Sequence, residues 1–270
     1  MAQNIYDRQD FFDAYDKYID RSSKDVDTDP AWNRLAPLVP PVAGLDVLDL
    51  GCGSGWFCRW AAAHGARSVL GVDVSEKMLA KARGLSAAPT TTTEEHTRIE
   101  YRRADLDKLT LPESDTARYG LVFSSLALHY LADLPRVVAL AHRVLTPGGF
   151  FVFNVEHPIY TAPRNPRVVR AAPVADENSE GARDGAQGEL CWPLTGYGDE
   201  GERVVDWLAK GLRKYHRSVT GYMDVLLAQG FLVRAFKEFF PTEEELASGR
   251  ADEVEKLRPL FLMMSLQKQN

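Results

Sequence analysis

At 270 residues the chain can bury one large core, and 45% apolar with 26% charged residues is the composition of an ordinary globular protein. A net charge of −6 with no large basic block argues against a nucleic-acid partner, and no apolar run approaches the roughly 18 residues of a membrane span. Cys52, Cys58 and Cys191 form neither a metal-ligand spacing nor an even disulfide set. With a polar, acidic N-terminus and no visible signal peptide, they fit a cytoplasmic chain without a metal.

Phe11, Phe12, Tyr15, Tyr18 and Ile19 fall on one helical face, with Asp10, Asp13, Asp16 and Asp20 largely on the other. This predicts an amphipathic helix ahead of the core. Ser22 to Pro30 reads as a loop, and Trp32, Leu35, Leu38 and Val39 as a short helix ended by Pro40-Pro41. Residues 1–40 are therefore expected to form an N-terminal helical cap, and 41–270 the main domain. Leu45 to Leu50 reads as a buried strand, followed by Gly51, Gly53 and Gly55, and then by Trp56, Phe57, Trp60, Ala61 and His64 at helical spacing. Strand, glycine turn and helix in an open parallel sheet take a nucleotide-like ligand beyond the carboxyl end of the first strand. The glycines let the backbone turn sharply and approach the ligand closely. A dinucleotide fingerprint would need glycine where Trp56 stands, so a pyrophosphate is disfavoured.

Ser68 to Val74 is the second strand and carries Asp73, 24 residues beyond Asp49. An acidic residue there can accept both ribose hydroxyls of a nucleoside. Ser75 reads as an N-cap before a helix marked by Met78, Leu79 and Ala82. Ser86 to Thr97 is a Thr-rich stretch read as a solvated loop. Ile99 to Arg103 is a third strand, followed by Ala104-Asp105-Leu106. Gly120 to Leu126 is the fourth, with Ser124 and Ser125 at its end and His129-Tyr130 beyond it. A helix capped by Asp133 stops at Thr146-Pro147-Gly148-Gly149, and Phe150 to Val155 is the fifth strand. Residues 156–215 break the alternation, with Tyr197 and Arg203 to Trp207 strand-like, and read as a lid inserted after strand five. His216 leads into a helix ending at Gly230. A strand from Phe231 to Phe239, a capping box at Thr242 and Glu245, and a last strand from Arg258 to Leu266 complete the chain.

The run Asp49-Leu50-Gly51-Cys52-Gly53-Ser54-Gly55, with Asp73 ending strand two and Leu145-Thr146-Pro147-Gly148-Gly149 before strand five, resembles class I S-adenosylmethionine (SAM) methyltransferases. The resemblance covers residues 45–155 well and extends more loosely to both ends, where it looks similar to a small-molecule subgroup. It implies an α/β, Rossmann-like, seven-stranded mostly parallel sheet with an antiparallel edge strand, and SAM as cofactor. It also implies that Val74 and Met78 line the adenine, that Asp105 meets its exocyclic amine, and that Leu106 and Ser125 complete the cofactor pocket beside Asp49, Gly51, Gly53, Gly55 and Asp73. In many relatives such N-terminal helices close over the ligand. Ser124-Ser125-Leu126-Ala127 is unlike the Asn/Asp-Pro-Pro-aromatic stretch of enzymes that methylate DNA bases.

Methyl transfer from a sulfonium is an in-line displacement with a neutral thioether leaving. The protein's work is alignment and exclusion of water, with a base needed only where the nucleophile must lose a proton. Base candidates are His129, His157 and His216; acceptor-binding candidates are Tyr15, Tyr130 and Tyr197. The expected acceptor is an oxygen, nitrogen or carbon of a small organic molecule, with no nucleic-acid or membrane partner. Use of SAM without methyl transfer, and an NAD-dependent oxidoreductase, remain as alternatives. The oligomeric state is open.

Overall fold

The computed structural model describes residues 3–19, 26–87, 97–171 and 188–270. In chain order these hold α1 (Gln9–Tyr18), α2 (Pro30–Leu35), β1 (Asp46–Leu50), α3 (Trp56–Ala63), β2 (Ser68–Asp73), α4 (Glu76–Ser86), β3 (Arg98–Arg103) and β4 (Tyr119–Ser125). Then follow α5 (Leu134–Val144), β5 (Leu145–Glu156), α6 (Pro158–Thr161), β6 (Val169–Arg170), β7 (Leu190–Cys191), β8 (Gly201–Trp207) and β9 (Ala209–His216). The chain closes with α7 (Val219–Ala228), β10 (Phe231–Glu238), α8 (Glu243–Ala247) and β11 (Phe261–Lys268).

Seven strands form one sheet in the order β10-β11-β5-β4-β1-β2-β3. β1 to β5 pair in parallel, whereas β11 pairs antiparallel with both β5 and the outermost β10. All five residues of β1 are buried, as a central strand covered on both faces requires. Successive side chains point to opposite faces. Leu48 and Leu50 join α5 and α7 in one core, and Val47 joins α2 and α3 in the other. Asp46 interrupts the apolar run because it sits at the strand's base, where Arg67 grips it with two nitrogens at 2.9 and 2.7 Å and Ser68 Oγ donates at 2.7 Å. Ser75, Asp133 and Thr242 cap α4, α5 and α8 as expected, each accepting a first-turn amide; such caps contribute about 1 kcal/mol apiece.

Several boundaries differ from the sequence reading. β11 begins at Phe261, because Arg258 precedes Pro259 and is held outside the ladder in an extended conformation. β5 already starts at Leu145, and the register irregularity between Tyr119 and Leu121 absorbs the Pro-Gly-Gly turn. His216 ends β9, and it is Ser218 that caps α7. In α1 the inward face is Phe11 and Tyr15, while Tyr18 is 59% exposed. Residues 88–96 of the Thr-rich stretch, 22–25 of the first expected loop and 172–187 of the expected lid lie outside the described residues, as does Asp20 of the expected polar helix face.

The N-terminal segment and the β8–β9 hairpin meet over the carboxyl ends of the strands. Gln3 extends the hairpin edge with its side-chain amide: Nε2 donates to Gly211 O and Oε1 accepts from Arg213 N, both at 2.6 Å. Ile5, Phe11 and Leu212 form a small core there, packed by Tyr6, Tyr15, Tyr130 and Trp207. Among the described residues no helix is long and apolar enough to cross a membrane, and no group of three or more His, Cys, Asp or Glu could hold a metal.

Candidate functional site

The site begins at the turn between β1 and α3. Gly51, Gly53 and Gly55 have φ of 81°, 53° and 75°, a left-handed region that costs a residue with a side chain roughly 1–2 kcal/mol. Their surroundings differ. A Cβ on Gly51 would fall 2.3 Å from the Cβ of Ala127, and one on Gly55 would fall 2.3 Å from the Tyr101 hydroxyl. A Cβ on Gly53 would meet nothing within 4 Å. Gly51 and Gly55 thus admit other parts of the protein, and Gly53 alone of the three leaves its face of the loop open.

Two carboxylates support this turn. Asp73, half-buried at the end of β2, accepts from Gly53 N through Oδ2 and from Ser75 N through Oδ1, each at 2.8 Å. Burial pushes its carboxyl up, and these amides partly offset the shift. Each oxygen keeps a further lone pair for a hydroxyl. Asp49 lies beneath the turn, 2% exposed, and accepts from the Cys58 thiol at 3.3 Å. Burial, helped by the charge of Asp73, pushes Asp49 up to about 7.

The neighbouring strand ends frame the same space. The Val74 carbonyl receives Asn4 Nδ2 at 3.4 Å and Arg103 Nε at 3.2 Å. Met78 is buried in the first turn of α4. Asp105 accepts the amide of Asp107 at 3.1 Å in a local turn. Buried Leu106 lies beside the Gly51–Ala127 contact, and half-buried Ser125 ends β4 in register with Asn154. Leu126 then takes a φ of 54°, an unusual conformation for a branched residue, and turns the chain so that Ala127 covers Gly51. A cleft at the opposite ends of the strands, lined by Ser68, Arg98, Arg118 and Tyr119, is remote from these residues.

Beyond β4 and β5 lies a second polar centre. Glu156 ends β5 and pairs with Lys214 of β9 at 2.5 Å, with only 14% and 5% of their side chains exposed. Glu156 Oε2 has no hydrogen-bond partner among the described residues. The Tyr6 ring meets those of Tyr15 and Tyr130 edge to face at 5.3 and 6.4 Å. Burial, then Tyr15, Asp73 and Glu156, push the Tyr6 hydroxyl far above its ordinary range, so Tyr6 lies within electrostatic reach of both carboxylate centres.

The three histidines serve different places. His157 caps α6 by accepting Ile159 N at 3.1 Å, and its Nε2 lies 2.9 Å from Glu238. His216 bonds Thr161 Oγ1 at 2.8 Å and Tyr197 O at 2.9 Å. Both rings are therefore braced on both sides by protein. Tyr197 belongs with them, since its hydroxyl accepts Val219 N at 3.1 Å. His129 is buried against Tyr130 and accepts Glu156 N through Nδ1 at 3.4 Å. Burial, with Lys214 and Arg217 adding repulsion, drives it well below its ordinary value, so it is neutral with its proton on Nε2.

Tyr6, Glu156, Tyr160, Lys214 and Arg258 were missed in the sequence. Two left a signal. Glu156 closes a strand as Asp49 and Asp73 do, and Lys214 alternates with Leu212 and His216 on the inward face of β9. Arg258 left none.

Residues 48–153 match the methyltransferase-domain family. The chain is 43% identical to an S-adenosylmethionine-dependent methyltransferase from Mesorhizobium loti, over 90% of this chain and all of that one, with a TM-score of 0.75. A malonyl-[acyl-carrier protein] O-methyltransferase from Pectobacterium atrosepticum is 36% identical, over 44% of this chain and 42% of that protein. A tRNA U34 carboxymethyltransferase from Marinobacter nauticus is 44% identical over 62 residues, 23% of this chain and 18% of that one. These short matches cover less than half of either protein. The full-length likeness, the sheet order and the open glycine turn between two carboxylates agree on one cofactor and one enzyme class: the chain belongs to the SAM-dependent methyltransferases.

Proposed function

We propose that this methyltransferase acts on a small organic acceptor, at oxygen, nitrogen or carbon, within a site roofed by its own N-terminal cap (1–40) and the insertion at 156–215. The observation that carries the reading is the roof. Gln3 ties the N-terminal segment to β9, and together they cover Tyr6, Tyr130, Glu156 and Lys214 beyond the cofactor turn. A roof over the strand ends suits a small acceptor better than a polymer, and a chain of net charge −6 is poorly suited to a polyanion.

In this reading the open face of Gly53 admits the cofactor's methionine end, with Gly51 and Gly55 shaping the turn. Asp73 accepts the ribose hydroxyls, and Asp49 balances positive charge from below. Val74, Met78, Asp105, Leu106 and Ser125 enclose the adenine side. SAM supplies, when bound, a methyl group activated by its sulfonium. Tyr15 and Tyr130 wall the acceptor, Glu156 Oε2 accepts a hydrogen bond from it, and the roof keeps water out. His157, His216 and Tyr197 hold the roof to α7 and β10. His129, held neutral and hydrogen-bonded to the Glu156 amide, is a positioning residue. Burial pushes the three candidate histidines, His129, His157 and His216, below the ordinary imidazole value and makes each a weaker base, so the favoured acceptor atom is nucleophilic beforehand, an amine or an ionised oxygen.

The short matches to relatives named for a carrier protein and for tRNA set the alternatives. The test is incubation with methyl-labelled SAM and three separate pools: a protein-free metabolite extract, bulk tRNA, and malonyl-loaded acyl carrier protein. Label in a small molecule, with S-adenosylhomocysteine (SAH) released in equal amount, is expected. Label in tRNA or carrier protein alone overturns the reading.

A further inference from the structure

Arg258 is a buried cation beside the acceptor region to which the proposed function gives no task. It stands between the acidic turn Glu253–Leu257 and β11 and is 8% exposed. Its guanidinium lies 4.5 Å from the ring centre of Tyr160 and 4.4 Å from that of Trp192. The two rings stack on each other at 5.7 Å with an angle of 11°. Nε and Nη1 are buried and have no hydrogen-bond partner among the described residues. The charges of Glu156 and Glu255 act on it, yet neither forms an ion pair with it. Lys214, the other buried cation here, is already taken by Glu156.

Stacking on aromatic rings satisfies the face of a guanidinium but not its N–H groups. Leaving two such donors dry and unpaired is costly, and the cost is removed by an acceptor that enters with a negative charge. Arg258 precedes β11 next to the end of β5, since Phe261 pairs with Glu156. It therefore stands at the same sheet edge as the proposed acceptor site. Tyr160 lies three residues beyond the capping His157, and its ring also faces Lys214 at 6.0 Å.

We propose that Arg258, with Tyr160 and Trp192, forms a subsite for a carboxylate on the methyl acceptor. A carboxylate is favoured over a phosphate because a second negative charge would stand near Glu156 and Glu255, while the neighbouring Lys214 is already paired. The inference deepens the small-acceptor reading by giving the acceptor a chemical class, and it rests on that reading.

The test uses benzoate as probe, with benzamide as its neutral match, titrated calorimetrically into the SAH-loaded full-length protein. Benzoate should bind at least about tenfold more tightly than benzamide, the scale of one charge-assisted hydrogen bond. Arg258→Met should reduce that ratio to about one, and Arg258→Lys should restore part of it. SAH affinity should stay the same in both variants, which reports that the fold is intact. Equal binding of benzoate and benzamide by the natural protein overturns the subsite, as does an unchanged ratio in the Met variant. Phenyl phosphate binding more tightly than benzoate overturns the carboxylate assignment. Where the Met variant does not fold, the benzoate-to-benzamide ratio of the natural protein and of Arg258→Lys decides. Label in tRNA or carrier protein alone, with benzoate still bound through Arg258, overturns the small-acceptor reading and leaves the subsite standing.

Discussion

Asp49 is buried under the glycine turn with one thiol as its hydrogen-bond donor, and its carboxyl is pushed from 3.8 up to about 7. The folded chain therefore keeps a proton that the unfolded chain has released. Stability should fall as pH rises from about 4 to about 7, and the full penalty should remain above that. A shift of this size corresponds to on the order of 4 kcal/mol. Asp49→Asn removes the titration and loses the Cys58 contact, a cost of about 1 kcal/mol. The variant should then exceed the natural protein by about 3 kcal/mol at pH 8 and lose that advantage near pH 4. Urea denaturation without cofactor, at half-unit steps from pH 4.5 to 8.5, measures the difference directly. The natural protein should also gain more stability from SAM at pH 8 than at pH 6, because the ionised carboxylate is the form that suits a cation. A stability difference constant across the pH range would refute the reasoning, since Asp49 would then be ionised throughout or exposed.

Gly51→Ala should cost about 3 kcal/mol in urea denaturation, by overpacking against Ala127 and strain at a φ of 81°; Gly53→Ala should cost only about 1 kcal/mol. A common value for both would contradict the different surroundings assigned to them. Lys214→Met leaves Glu156 buried and unpaired and should cost about 3–5 kcal/mol, most of which the double variant Lys214→Met/Glu156→Gln should recover. A double variant no more stable than the single one would show that the pair is not a closed unit. His129→Gln should keep kcat within a few-fold, whereas loss of a general base costs about 100-fold or more. A loss of that size, with a pH profile breaking near the His129 titration, would return His129 to the chemistry.

The cofactor half of the site was legible because it depends on strand ends. Residues with a period of two place Asp49 and Asp73 at the ends of neighbouring parallel strands, and such ends converge whatever the intervening chain does. The distinction between Gly51 and Gly53 was not legible, since Ala127 fills the first from a distant segment turned by Leu126. The surroundings of the isolated histidines were not legible for a related reason. The partners of His157 and His216 are Glu238, Thr161 and the Tyr197 carbonyl, reached only through tertiary packing. Arg258 in sequence opens an Arg-Pro-x-Phe-Leu run that resembles a methyltransferase subgroup but assigns the arginine no neighbours. Its burial against Tyr160 and Trp192 appears only when α6, β7 and the approach to β11 are brought together.

The account stands most directly on the open face of Gly53 beside Asp73. Calorimetric titration of SAM into the natural protein, Gly53→Val and Asp73→Ala tests both at once. One site per chain is expected in the natural protein, with no binding by the valine variant, whose side chain fills the cofactor's space. The Asp73 variant should bind about thirtyfold more weakly, the equivalent of roughly 2 kcal/mol in lost hydrogen bonds. Circular dichroism should show all three folded. Equal SAM affinity in the three proteins would place the cofactor elsewhere and contradict the account.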